Sequence, residues 1–301
     1  MASASAKLRS HDFSAEVWEG YRQRNKQVWF YPRFPNIEAY TGEQELKGKT
    51  LLLWHEQGIG EEILFLPFAI RLARQGVNII YECDQRLVPL FSRSVPEITF
   101  VPYEVPWNEA VWAADYQCPL GDPATFQLRT WSDYPFTGGY LKPDQDQVEH
   151  FREKYSKYSN KLVGITWASS AQFWDRNKTV PVTNFEPLYS EVPCISLQYG
   201  NHYCPFKQDD EVNLSADIDR LAALISVCTD VVCISNATAH LAGALGVDNN
   251  VMVPQGKGRH WYWFPECKPH PFYANTEVFI QSIPMFWDNI TNRIINKVLD
   301  K

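Results

Sequence analysis

The sequence predicts an α/β chain made of two successive parallel-sheet units. Three observations carry that expectation. Short continuous apolar runs alternate with helical stretches of about 10–15 residues, the pattern of βαβ units; turns rich in glycine and polar residues separate the segments; and the alternation begins again in the second half of the chain. At roughly 100–200 residues per domain, the 301 residues are enough for two domains or one large α/β unit with a sizeable core.

Taken in order, residues 1–48 are rich in Trp, Tyr, Arg and Pro and read as an arm laid on the first domain. From Thr50 the run Thr-Leu-Leu-Leu-Trp-His is a strand, Glu-Gln-Gly-Ile-Gly a turn, and Glu61 to about Gln75 a helix that stops at Gly76. Val77–Cys83 is a second strand, Gln85–Ser94 carries Leu87, Leu90 and Phe91 at helical spacing, and Ile98–Val101 is a third strand. Residues 102–145 lose this rhythm and close the first domain, 49–145. The second domain, 146–301, opens with a polar helix near Asp146–Tyr158. It continues through strands at Leu162–Trp167 and Cys194–Leu197, a helix Asp217–Cys228, a strand Val231–Ser235, a helix Thr238–Leu245 and a strand near Asn250–Val253. Ile290, Ile294, Ile295 and Val298 share one face of a closing helix, Trp287–Leu299. Parallel sheets of this kind place their ligand crevice at the carboxyl ends of the strands.

Composition narrows the function. A 45% hydrophobic and 21% charged chain is globular, neither disordered nor collagen-like. The net charge of −7 supplies no basic field, which argues against nucleic acid and anionic membranes as partners. Seven cysteines, an odd number without a Cys-x-x-Cys pair, read as reduced thiols. No apolar run suits a signal peptide or approaches the roughly 18 residues of a membrane span, so a cytoplasmic protein is expected. The 11 Trp, 15 Tyr and 17 Phe suit inter-domain packing or a site that stacks on flat rings or sugars.

Gln57-Gly58-Ile59-Gly60 puts bare backbone N–H groups at a helix N-terminus, where an anion or a reacting hydroxyl can approach. A dinucleotide fingerprint needs a third glycine where Ile63 stands, so NAD and FAD are disfavoured. Glu61 and Glu62 are both first-turn charges that suit the helix dipole, or else Glu61, the first carboxylate after the turn, is a general base at the crevice. In Ser235-Asn236-Ala237-Thr238-Ala239-His240, small residues leave room for a ligand at a second helix N-terminus; alternatively Asn236 or Thr238 caps the helix and His240 bonds to backbone. Arg176 and Lys178 place two cations in a polar loop, either surface charges or partners for a diphosphate leaving group. Gln198, beside Tyr199 at a strand end, faces the crevice where a base or ribose edge would lie. Two Asp-x-Asp pairs, Asp144/Asp146 and Asp217/Asp219, precede helices and read as caps rather than metal ligands. No nucleophile elbow, P-loop or zinc spacing occurs.

Together these segments resemble a known family. His55-Glu-Gln-Gly-Ile-Gly-Glu-Glu-Ile-Leu-Phe, Val163-Gly-Ile-Thr-Trp, Lys178-Thr-Val-Pro, Ile195-Ser-Leu-Gln, Ser235-Asn-Ala-Thr-Ala-His-Leu-Ala-Gly-Ala-Leu-Gly and Trp261-Tyr-Trp look like the glycosyltransferase-like domain that commonly follows tetratricopeptide repeats. That domain is related to the bacterial heptosyltransferases of glycosyltransferase family 9, and the match runs in order from about residue 13 to about residue 295.

The resemblance implies a GT-B fold, with two Rossmann-like domains facing across a cleft and a C-terminal helix closing the fold. It implies an inverting, metal-independent glycosyltransferase moving a sugar from a nucleotide-diphosphate sugar to a hydroxyl of a glycan or protein, with no other cofactor. Glu61 then stands where the family has its base, with Gln57–Gly60 as the acceptor-side loop. Lys178 faces the donor phosphates, and Arg176, Gln198, Tyr199, Asn236, Thr238, Ala239 and His240 form the donor side. The alternative is a catalytically silent sugar-nucleotide-binding or scaffolding domain. Two departures motivate it: Glu61 stands where the family usually has Asp, and Ser235-Asn236 stands where heptosyltransferases have Asp-Thr. The 48 residues before the first strand are too few for two repeats of roughly 34 residues.

Overall fold

A computed structural model of the chain describes residues 3–24, 33–104, 106–135, 138–158, 160–169, 177–256 and 258–301. The chain divides into two compact units, Met1–Pro135 and Phe136–Lys301. The first contains α1 (Ala4–Arg9), α2 (Ala15–Arg22), β1 (Glu38–Ala39), β2 (Thr50–Trp54), α3 (Ile59–Arg74), β3 (Asn78–Cys83), α4 (Val88–Ser94), β4 (Thr99–Pro102), β5 (Tyr116–Pro119) and α5 (Asp122–Gln127). Its strands are all parallel, in the order β1-β5-β2-β3-β4.

Residues Leu51–Trp54 of β2 are all buried, the mark of a strand covered on both faces rather than one. α3 buries Ile63, Phe65, Phe68 and Leu72, and its acidic first turn (Glu61, Glu62) and basic last turn (Arg71, Arg74) complement the helix dipole at both ends. α2 lies on α5, with Trp18 fully buried and Arg22 Nη1 donating to Thr125 Oγ1 at 3.1 Å. These amino-terminal helices therefore belong to the first unit.

The second unit contains α6 (Gln145–Lys154), β6 (Val163–Ile165), α7 (Glu186–Tyr189), β7 (Cys194–Ser196), α8 (Ile218–Ser226), β8 (Asp230–Ile234), α9 (Ala237–Leu245), β9 (Asp248–Val253), β10 (Thr276–Ile280) and α10 (Asp288–Leu299). Its sheet is also parallel throughout, in the order β10-β9-β8-β6-β7. On α10, Ile290, Ile294, Ile295 and Val298 join the core around Val163, Ile165 and Trp167, as their spacing predicted. α9 ends at Gly246, whose φ of +78° is a left-handed cap. A Cβ there would lie 2.0 Å from the Gly138 carbonyl oxygen, so only glycine fits.

Three strands lie where the sequence showed no strand. β5 carries a buried Gln117 that accepts from Trp54 Nε1 at 2.6 Å, and it ends in proline, so no apolar run announces it. β1 has only two residues. β10 is an edge strand whose Glu277 pairs with Lys268 and Lys297. The helix read over Gln85–Ser94 begins as a 3₁₀ turn, Gln85–Leu87, before α4. All seven cysteines are free thiols, five of them buried.

Candidate functional site

In an open parallel sheet the ligand crevice lies where neighbouring strands connect in opposite directions. That point falls between β2 and β5 in the first unit and between β6 and β8 in the second. Each carries a distinct set of polar groups.

In the first unit the crevice is lined by residues that follow β2. Glu56 accepts from Arg24 Nε at 2.9 Å, from Arg24 Nη2 at 2.6 Å and from the Gly121 N–H at 2.8 Å, across the β2/β5 gap. Arg24 also reaches Asp122 at 2.9 Å. A Cβ on Gly121 would come within 2.9 Å of Glu56 Oε1 and of Phe65, so glycine lets this cluster close. Burial pushes the Asp122 carboxyl up to about 7, against the pull of Arg24 and helped by the nearby Glu56 charge.

Beside it sits a second buried pair, Arg33–Glu82. Burial raises the Glu82 pKa and lowers that of Arg33, each opposed by its partner's charge. Both residues also clamp the main chain of His55: Glu82 Oε2 accepts its N–H at 3.0 Å, and Arg33 Nη1 donates to its carbonyl at 3.2 Å. The His55 ring stacks on Tyr103 at 4.5 Å, and its Nδ1 meets Glu62.

Gly58 caps α3 in an extended conformation. The N–H groups of Glu61 and Glu62 bond back to the Gly58 carbonyl. Of the two carboxylates in the first turn, Glu62 is fully buried, whereas Glu61 is partly exposed, with Oε2 3.6 Å from where a Gly58 Cβ would stand. The loop residues Gln57, Gly58 and Ile59 are accessible, and Gly60 is buried.

In the second unit the crevice lies between Thr166 and Asn236. The Asn236 Nδ2 donates to Thr166 Oγ1 at 3.1 Å while its Oδ1 caps α9 by accepting the Ala239 N–H at 3.1 Å. The cap takes the third N–H of the helix, and the first two, on Ala237 and Thr238, find no acceptor among the described residues, as at helix N-termini generally. Lys178 Nζ lies 3.0 Å from His260 Nε2, and the His260 ring stacks on Tyr262 at 5.1 Å with an interplanar angle of 4°.

His240, on α9, is buried with Nδ1 2.9 Å from the Tyr273 hydroxyl and lies among Tyr262, Trp263 and Tyr273. Burial drives its pKa well below the usual histidine range, and the charges of His260, His270 and Lys178 lower it further. Asn236, Thr238, Ala239 and His240 thus lie in the cap and first turns of α9, while Lys178 pairs with His260.

Gln198 has a different task. Its Oε1 accepts from the N–H groups of Trp167 at 2.9 Å and Ala168 at 2.8 Å, and its Nε2 donates to the carbonyls of Ala168 at 2.9 Å and Tyr199 at 2.8 Å. With the amide taken up by main chain, Gln198 braces the loop after β6, and Tyr199 beside it is half-buried. Arg176 lies outside the described residues. Asp144 and Asp217 both cap helices, accepting from Asp146 and Gln147 and from Arg220. Among the described residues no group of three or more His, Cys, Asp or Glu side chains is placed to hold a metal ion. No helix among them is long and apolar enough to cross a membrane.

The sequence reading missed Arg24, Arg33, Glu56, Glu82, Asp122 and His260. Glu56 was adjacent to a recognised motif and His260 preceded the noted Trp261-Tyr-Trp, but their partners are distant in sequence.

Solved glycosyltransferases share this architecture. The family 9 glycosyltransferase of Veillonella parvula is 11% identical with a TM-score of 0.54, covering 85% of this chain and 97% of its own. The ADP-heptose lipopolysaccharide heptosyltransferase II of E. coli is 13% identical with a TM-score of 0.54, covering 83% and 99%. TibC from enterotoxigenic E. coli, a dodecameric iron-containing heptosyltransferase solved with ADP-D-β-D-heptose, is 13% identical with a TM-score of 0.52, covering 85% and 78%. The chain therefore has a GT-B-like fold, two five-stranded parallel sheets with a C-terminal helix.

No family model matches it. It is 26% identical over 317 aligned residues to Protein FlbA of Caulobacter vibrioides, an alignment taking in 95% of this chain and 52% of FlbA. The chain thus spans about half the length of that curated relative.

Proposed function

We propose that the chain is an inverting, metal-independent glycosyltransferase that moves a sugar from a nucleotide-diphosphate sugar to a hydroxyl of a glycan or protein, and that it works in the cytoplasm. The observation that carries this reading is the second unit's crevice: the amino end of α9, capped by Asn236 and with open N–H groups on Ala237 and Thr238, shares that half with the Lys178–His260 pair. A departing diphosphate needs this combination of helix dipole and fixed positive charge. The GT-B-like fold and the ADP-heptose complex of TibC support it. On this reading the tetratricopeptide-associated glycosyltransferase domains are its functional kin, and the first unit presents the acceptor at the Gln57–Gly60 turn, beside Glu61.

A silent sugar-nucleotide-binding domain is favoured by one observation, the complete use of the Gln198 amide by main chain, which removes a side chain from donor recognition. Incubating the pure chain with sugar nucleotides in the presence of a chelator separates the two. The transferase reading expects release of nucleoside diphosphate and, with acceptor, a product of inverted anomeric configuration. Glu61→Gln, which keeps the side chain's shape but removes its charge, is expected to lower turnover about 100-fold or more, with donor binding intact. Donor binding without turnover under any condition would leave the silent reading.

A further inference from the structure

We propose that His55 and Glu62 form the proton-accepting dyad of the first unit, His55 Nε2 taking the proton of the acceptor hydroxyl and Glu62 acting as its positioning residue. The step rests on the glycosyltransferase reading above; the dyad rests on geometry. Glu62 is fully buried, and a buried carboxylate must be matched by donors. Its Oε2 accepts the Asp84 N–H at 2.9 Å and its Oε1 meets His55 Nδ1. That contact selects the tautomer with hydrogen on Nδ1, so the Nε2 lone pair points away from the carboxylate. Nε2 has no partner among the described residues, and the side chain keeps 20% of its surface exposed.

Everything else about His55 is fixed. Its main chain is held by Glu82 and Arg33, and its ring lies against Tyr103, itself 45% exposed. His55 follows β2 and Tyr103 follows β4, so both sit at the carboxyl edge of the sheet, on the β3/β4 side of the β2/β5 gap. The ionisable groups facing the imidazole are Glu62 from α3, Glu82 from β3, Asp84 just beyond it with its partner Arg86, Arg33 from the segment before β1, and Tyr103.

An imidazole oriented by a buried carboxylate, with its second nitrogen open, has the geometry of a general base. In the step, the Nε2 lone pair takes the hydroxyl proton while the oxygen's electron pair forms the bond to the anomeric carbon. The bond from that carbon to the diphosphate oxygen breaks, and its electrons leave on the nucleoside diphosphate. The imidazolium, paired with Glu62, returns its proton to solvent after product release.

The test compares full-length wild type, His55→Gln, Glu62→Gln and Glu61→Gln for donor binding and for turnover across pH, with ¹⁵N NMR of the His55 imidazole in wild type and Glu62→Gln. His55→Gln is expected to lower kcat/KM about 10²- to 10⁴-fold while the donor-induced thermal shift stays. Glu62→Gln is expected to lower turnover and to release the Nδ1–H tautomer of His55 in the NMR spectrum, because the contact that selects it is weakened; a merely structural Glu62 would lower activity without changing the tautomer. NMR is expected to show His55 protonated on Nδ1 with Nε2 unprotonated. Turnover of His55→Gln within about threefold of wild type, far outside the range for a lost general base, would overturn the proposal, as would an Nε2–H tautomer. A wild-type chain that neither binds nor turns over any sugar nucleotide would instead overturn the glycosyltransferase reading and the step with it, while the tautomer still decides whether the dyad exists.

Discussion

Asp122 shows how one residue records its setting. Burial between Arg24 and Glu56 holds its carboxyl at about 7, above the value of an unfolded aspartate. The protonated form is the one the folded chain prefers, so the stability this group contributes is fully present below the unfolded pKa. It is lost as pH rises through about 7. Asp122→Asn, which keeps a neutral side chain, is expected to flatten the stability of the protein between about pH 4 and pH 7 in denaturant titrations; an unchanged slope would show that another group titrates there. Gln198 makes a complementary case. Gln198→Ala would strand the buried N–H groups of Trp167 and Ala168, at about 1–3 kcal/mol each. Such a loss of stability, seen by thermal unfolding, would confirm the brace, whereas a variant of native stability that had lost donor affinity would return Gln198 to the donor site.

The elements that position the sites depend on a few close approaches. Gly246 ends α9 with φ +78°, and its Cα lies against the Gly138 carbonyl. Gly246→Ala is expected to cost more than about 2 kcal/mol, the left-handed strain plus a clash. Gly256→Ala, at φ +84° with nothing within 4 Å of its added Cβ, should cost only the strain, about 1–2 kcal/mol. Equal costs, measured by thermal unfolding, would contradict a tight seat for residues 138–139 on the end of α9. The same close approaches explain what could be read from the sequence. β2, α3, β3, β6, β8, α9 and α10 are local patterns: apolar runs, a glycine turn, an asparagine cap and a helical face of isoleucines. β5 was illegible because its buried Gln117 is satisfied by Trp54, a partner that only the folded sheet supplies.

At the scale of the whole molecule, the two glycine- and alanine-rich turns were visible in sequence because each is contiguous. The polar groups around them were not, since Arg24 reaches Glu56 and Asp122, and Arg33 reaches Glu82, only through tertiary contacts, and the fate of Glu62 depended on His55 turning back towards it. The two parallel-sheet units follow from the alternation of strands and helices, repeated once along the chain, whereas the GT-B-like fold was implied only by the resemblance and rests on the solved structures. What the fold does rests on whether the second unit holds a sugar nucleotide. The most direct measurement is a thermal-shift screen of the pure chain against ADP, UDP, GDP and CMP and their sugar conjugates, first with chelator and then with magnesium. A ligand at 100 times its Kd adds about 2.7 kcal/mol, roughly 5–10 °C for a unit of this size. A shift of that order with one nucleotide, independent of magnesium and reduced by Lys178→Ala, is the expected result. No shift with any nucleotide or conjugate would contradict a donor site at the amino end of α9.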